Sequence, residues 1–299
     1  MRDDKKERRT VLFPTSNLQP PTSILELLSF IAVFALLFWP TFLWMAERFD
    51  APDSFYSHGW LVPLASAWLV FRQRAALDVA SWRGSYQGLL VLVPSLIVHI
   101  AATWWRIHVA SGLAMLGVVW GLVWTVWGRE AITALRFPLL FLGFMVPLPG
   151  ILLIAISFKM KLIAASLATY ALHGLGIQAA QAGSTIHVPG VSVIVDDTCS
   201  GLRSLISLLA LASFWTALLP ARASRWRRLA IVAASLPIAL AGNMLRIALL
   251  VMIAVVYGAR AAEGFVHYAS GLVVFGVALA ALAWLSGMLI KSPRLSEAS

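Results

Sequence analysis

The sequence predicts an all-α polytopic membrane protein, and three observations carry that prediction. Of 299 residues, 60% are hydrophobic and 12% charged, against about 45–50% and about 25% in an ordinary soluble domain. Mean hydropathy is +0.85. The apolar residues are gathered into nine long runs between short polar segments, without the strict alternation that barrel strands require. A single soluble core of this size could not hide so much apolar side chain, and the same composition excludes disorder. The elements add up to about eight transmembrane helices, one interfacial amphipathic helix and a short outer-face β-hairpin.

Residues 1–23 form a polar, basic tail (Arg2, Lys5, Lys6, Arg8, Arg9) expected in the cytoplasm. The run Ile24–Ala46 follows with no small-x-small cleavage site, so it reads as a retained span rather than a signal peptide. The further runs are Gly59–Phe71, Gln87–Trp105, Val109–Trp127, Ala131–Val146, Ile151–Leu172, Leu202–Leu219, Leu229–Val256 and Tyr268–Ile290. Residues 24–290 read as a single transmembrane domain, followed by a cytoplasmic tail, 291–299. The thirteen tryptophans lie mostly near run ends, as interface belts do.

Charge orients the chain. The formal net charge is +10, but the 23 basic residues cluster in short segments between apolar runs, the pattern of membrane topology rather than of nucleic-acid binding. With the N-terminus inside, Arg72, Arg74 and Arg83, then Arg129, then Arg222, Arg225, Arg227 and Arg228, and finally Lys291 and Arg294 all mark the inner face. These marks agree if one run between Ala131 and Leu219 does not cross. Ile151–Leu172, which carries Lys159 and Lys161, is the candidate, read as an amphipathic helix in the interface. Residues 147–200 then lie outside, with Glu47, Asp50, Asp53 and Glu263.

Within that outer stretch, Ser184–Val195 places β-branched residues on both sides of Pro189-Gly190 and predicts a hairpin. It delivers the chain to Asp196-Asp197-Thr198-Cys199-Ser200-Gly201, directly before an apolar helix. Asp197 or Thr198 fits the N-cap, which would put Cys199 in the first turn.

Cys199 is the only cysteine, so an internal disulfide and a cysteine-based zinc cluster are both excluded. At a helix start the dipole favours its thiolate, and Arg203, four residues on, acts in the same sense; Asp196 and Asp197 act against it. Arg246 stands in an otherwise uncharged run of 28 residues with Asn243 one turn earlier. A guanidinium is costly in a bilayer and faces the bundle interior when it serves a function. His267 directly precedes the last run, and histidine is the usual acid/base partner of a cysteine nucleophile. His58, in Tyr56-Ser57-His58-Gly59, competes for that role, whereas His99, His108, His173 and His187 read as structural. No HExxH, GxSxG or P-loop string is present, and near-absence of intramembrane carboxylates argues against an aspartyl protease or a proton-coupled transporter.

These residues in this order resemble the exosortase/archaeosortase family of membrane transpeptidases. Asp197-Thr198-Cys199-Ser200-Gly201-Leu202-Arg203 looks like the family's cysteine motif, Asn243-Met244-Leu245-Arg246 like its arginine motif, and His267 like its histidine position. Tyr56-Ser57-His58-Gly59 and the stretch from Phe137-Pro138-Leu139-Leu140 to Pro147-Leu148-Pro149 are also similar. The likeness runs from about Asp50 to the last span. The chain is expected to end soon after that span, without the soluble domain that some members carry.

The resemblance implies a sortase-like reaction at the outer face of the cytoplasmic membrane. Its substrates would be secreted proteins ending in a short motif such as PEP, a transmembrane helix and a basic cluster. Cys199 would attack the peptide bond near the motif, and the acyl group would pass to an amine or other nucleophile, for instance on a lipid or glycan. His267 would shuttle the proton and Arg246 would orient the substrate or stabilise the oxyanion, with Arg203, Asn243 and His58 in supporting places and no metal or organic cofactor needed. Partners would be these proteins, the acceptor and membrane lipid, not nucleic acid. Two rival readings are a cysteine protease with water as acceptor and a non-enzymatic component of surface-polysaccharide assembly or export.

Overall fold

A computed structural model describes residues 24–291 apart from 53, 78–81, 197–198, 221–222 and 263. The basic tail 1–23, Asp53, Arg222, Glu263, the proposed caps Asp197 and Thr198, and the tail from 292, Arg294 included, lie outside the described residues. The chain divides into two compact units: 24–51 with 57–147, and 52–56 with 148–291.

The first unit holds α1 (Ile24–Leu37), α2 (Trp39–Asp50), α3 (Leu61–Gln73), α4 (Leu89–Trp104) and α5 (His108–Phe141). α1 and α2 meet at a 70° bend at Phe38. Pro40, in the first turn of α2, has no N–H to carry the ladder across the joint. α5 is broken at Gly128, whose φ of 82° and ψ of −172° are non-helical, as the separate apolar runs on either side of that residue imply. A Cβ at Gly128 would stand 1.8 Å from the Arg83 carbonyl oxygen, so no other residue fits the break. A polar chain is buried among these helices. His99 Nε2 donates to the Leu37 carbonyl (3.1 Å), Ser111 donates to His99 Nδ1 (2.9 Å), and Thr41 donates to Ser111 (2.5 Å). The direction follows from the carbonyl, which can only accept.

The second unit holds α6 (Gly150–Gly174), a three-stranded sheet, α7 (Leu202–Leu218), α8 (Arg225–Tyr257) and α9 (Phe265–Lys291). The predicted hairpin is present as β2 (Thr185–Val188) and β3 (Val191–Ile194), antiparallel around Pro189-Gly190, and a strand not expected from the sequence, β1 (Ala180–Ala182), adds to β2. Ile186, Val188 and Val195 turn inward onto Ala164, Ala168 and Leu172 of α6 and Ile247 and Val251 of α8. At the far end of α7, Arg228 closes the helix by donating to the carbonyls of Thr216, Pro220 and Ala223. A cation is at its most useful there, because the last carbonyls of a helix lack partners.

Among the described residues five helices are long and apolar enough to cross a membrane, and a sixth counts if α1 and α2 are one bent span. With this family of apolar helices the chain is a multi-pass membrane protein. Three features depart from the sequence reading. α6 is 25 residues of high hydropathy, and it turns Ile151, Ile154, Phe158, Ile163 and Tyr170 outward while small residues face the core. It therefore has the length of a span and an apolar outer face, not the polar face of an amphipathic interfacial helix. α3, at 13 residues, is shorter than the roughly 17 that a span needs and α7, at 17, lies at that limit, so the count of about eight is not confirmed. Cys199 also precedes α7 instead of occupying its first turn.

Candidate active site

That last departure comes from Gly201. Its φ is +78°, a left-handed conformation that stops the helix from extending back beyond Leu202. The space is equally restrictive, since a Cβ there would stand 2.8 Å from Asn243 Cγ. Cys199 therefore lies on a tight loop, and the helix-start argument for its thiolate, with Arg203 one turn along the same face, does not apply. The loop is held by other bonds. Asp196 accepts the Cys199 N–H at its Oδ1 (3.0 Å) and at its carbonyl (3.2 Å). Asn243 Nδ2 donates to the Cys199 carbonyl (2.8 Å), and Ser200 Oγ accepts from the Leu202 N–H (3.3 Å).

The thiol is 5% exposed and sits against His267: Sγ is 3.6 Å from Nε2 and 3.9 Å from Nδ1. Both distances are within reach of a sulfur hydrogen bond. His267 is in the first turn of α9 and Cys199 enters from the sheet, so residues 68 apart in sequence meet at one point.

Arg246 approaches from α8, one helical turn beyond Asn243. Its Nε donates to Ser270 Oγ (3.3 Å) and an Nη to the His267 carbonyl (3.1 Å), and Ser270 donates to that same carbonyl (2.7 Å). The guanidinium is thereby fixed to the backbone of the residue that faces the thiol. Gly271 makes room for it, since a Cβ there would be 3.3 Å from Arg246 Cζ. Arg246 and His267 line a cavity of about 440 Å³ with Pro52, Arg203, Ser204 and Tyr268. Arg203 reaches the Pro52 carbonyl at 3.4 Å. The loop bearing Pro52 is held at its other end by buried Tyr56, whose hydroxyl accepts the Leu148 N–H (3.0 Å). Burial pushes the Tyr56 phenol up from its ordinary value, and that N–H pulls it partly back.

The structure thus brings together Cys199, Arg246, His267, Asn243 and Arg203. His58 belongs to the first unit. Burial there lowers its pKa, and a backbone bond to Phe144 offsets part of the shift. The other histidines have structural partners: His173 Nε2 bonds the Ala179 carbonyl (2.6 Å), His187 Nδ1 meets Ser192 Oγ (2.8 Å), and His108 stacks on Trp44.

Two residues were not singled out by sequence reasoning. Ser270, one turn after His267, has no signal in sequence beyond that spacing. Asp196 carried one, as an acidic residue three before the cysteine, but it was weighed only as a charge opposing the thiolate. Its carboxylate oxygen, Sγ and a ring nitrogen of His267 all lie within 4.8 Å of one another. Carboxylate, thiolate and imidazole are donors that zinc accepts. Such a dication would consume the thiolate, and the guanidinium bonded to the His267 carbonyl opposes it.

A family model described as Transmembrane exosortase (Exosortase_EpsH) matches residues 44–284, a stretch that contains every residue of this cluster. No match is found among the curated proteins or among the solved structures. With the match covering most of the chain and the cysteine, arginine and histidine motifs meeting in space, the protein belongs to the transmembrane exosortase family.

Proposed function

We propose that the protein is a membrane-embedded cysteine transpeptidase that removes C-terminal sorting signals from secreted proteins and transfers the new C-terminus to a cell-surface acceptor. One observation carries the reading: the only thiol of the chain stands 3.6 Å from an imidazole whose own carbonyl is clamped by a guanidinium. His267 takes the proton from Cys199 Sγ as sulfur attacks the scissile carbonyl carbon. Arg246, in the wall of the cavity, stabilises the oxyanion that forms. Collapse expels the amine, which takes the proton from His267 and leaves a thioester on Cys199. An acceptor amine or hydroxyl then attacks the thioester, gives its proton to His267 and releases the thiolate. The substrate's transmembrane tail lies along apolar helix faces, and the site opens on the extracytoplasmic face of the cytoplasmic membrane with both termini inside.

The test is a reporter ending in a proline-containing motif, an apolar helix and a basic cluster, co-expressed with the protein and weighed by mass spectrometry. A product carrying an added acceptor mass is expected, absent with Cys199→Ala. Cleavage that adds only water would make the protein a protease, and processing that survives Cys199→Ala would end the enzymatic reading. A membrane-impermeant thiol reagent, applied to intact spheroplasts with a denatured control, tests the face.

A further inference from the structure

The contact between Cys199 and His267 does not by itself orient the imidazole. Sγ is 3.6 Å from one ring nitrogen and 3.9 Å from the other, so the thiol alone does not decide which nitrogen receives the proton. A hydrolytic or acyl-transfer site solves this with a third group that fixes the tautomer and stabilises the imidazolium. Among the described residues, the fold brings the carboxylate of Asp196 to this point. Asp196 is held by the strand that feeds the loop: Val195, the residue before it, donates to the Ser184 carbonyl (2.9 Å) and is buried in the core. Asp196 accepts the Cys199 N–H at Oδ1, and a carboxylate oxygen of the same side chain lies within the 4.8 Å triangle that joins it to the thiol and the ring.

We propose that Asp196 is the positioning residue of this site, orienting His267 toward the thiol and stabilising its protonated form during acyl transfer. The proposal rests on the transpeptidase reading above and adds a third member to its Cys199–His267 pair. Among the described residues, the charged and titratable groups around the ring are Asp196 and Cys199 from the loop and Arg246 from α8, with Arg203 of α7 and Tyr268 of α9 in the same cavity. Arg246 is a cation fixed to the His267 carbonyl and opposes an imidazolium. Asp196 is the counterweight.

The experiment uses the purified full-length protein with Asp196→Asn, Asp196→Ala, His267→Ala and Cys199→Ala. Asn keeps an oxygen to accept the Cys199 N–H but carries no charge, so it separates loop stapling from charge. With a peptide reporter bearing the three-part tail, Asp196→Asn is expected to keep KM within about twofold and to lose kcat by about 100-fold or more, as loss of the third member does in related triads. A second readout needs no substrate, because Cys199 is the sole thiol. Its alkylation by iodoacetamide at pH 6 reports the thiolate–imidazolium pair. The rate is expected to fall at least tenfold in Asp196→Asn, toward that of His267→Ala. An unchanged or faster alkylation in Asp196→Asn would overturn the proposal, as would a kcat within threefold of wild type with only Asp196→Ala impaired. Turnover by Cys199→Ala would sink the underlying transpeptidase reading, an outcome distinct from the first two.

Discussion

Each unit of this protein sets a histidine among apolar helices, and the two histidines are used differently. In the first unit His99 has both ring nitrogens engaged, one by a carbonyl at the α1–α2 bend and one by a serine that is itself held by Thr41. Every polar group in that chain finds a partner within a few ångströms, and the helices close over it. The arrangement offsets the cost of a break in the backbone ladder. In the second unit His267 faces a thiol and borders a cavity of about 440 Å³, with a guanidinium fixed to its carbonyl. The residue type is the same, but His99 is buried and His267 is half-buried. What separates a structural histidine from a candidate acid/base is whether its neighbours leave a proton to move and a space for a second molecule.

The largest effects expected are those that separate these two histidines. His267→Ala removes the proton shuttle and is expected to lower reporter processing by 100-fold or more, within the range of about 10²–10⁴ for general acid–base catalysis, while the protein accumulates normally. His99→Ala is expected to do the reverse. It leaves the Ser111 hydroxyl and the Leu37 carbonyl without their partner and should cost about 1–3 kcal/mol of stability. Turnover per folded molecule should remain near wild type, with thermal unfolding and specific activity as the paired measurements. Equal losses of activity in both variants would erase the contrast.

A smaller effect sharpens the role of the guanidinium. Lys at position 246 keeps the charge but cannot bridge Ser270 and the His267 carbonyl with a planar fork. Arg246→Lys should insert and accumulate normally, still capture the substrate's apolar tail, and turn over at least tenfold more slowly, a conservative figure beside the roughly 100- to 1000-fold cost of losing one oxyanion donor. Wild-type turnover in that variant would return Arg246 to a helix-anchoring role.

The smallest effect concerns His58. His58→Ala is expected to change turnover by no more than about threefold, because the half-buried ring is engaged by the Phe144 backbone within its own unit. Its contribution to stability has a definite sign. Burial holds its pKa below the ordinary value of 6.5, so folding favours the neutral ring. That contribution is present above pH 6.5 and is lost as the pH falls from there through the lowered value. Thermal melts between pH 7.5 and 5 should show a slope that His58→Gln reduces, and an identical slope in both proteins would remove His58 from the account.

Much of this was legible in the sequence because it depends on local composition. Apolar runs dictate helices wherever water is excluded, since the backbone must satisfy its own hydrogen bonds there. Pro189-Gly190 between β-branched residues dictates a hairpin, and a break in the apolar pattern around Gly128 marks a break in α5. Cys199, Arg246 and His267 stood out because each is chemically unusual where it lies: a lone thiol, a lone cation in an apolar run, a histidine at the edge of a span. Tertiary structure alone decided the remainder. Gly201 reads in sequence as an ordinary residue before a helix, and only its packing against Asn243 shows why the helix begins after it and leaves Cys199 on a loop. The apolar outer face of α6 cannot be read from its two lysines, because outward and inward are defined by the helices that pack on it. Asp196 looked like an opponent of the thiolate while only its distance in sequence from Cys199 was known. Its place beside His267, 71 residues away in the chain, depends on how α9 docks beside the loop, and electrostatic roles follow distance in space.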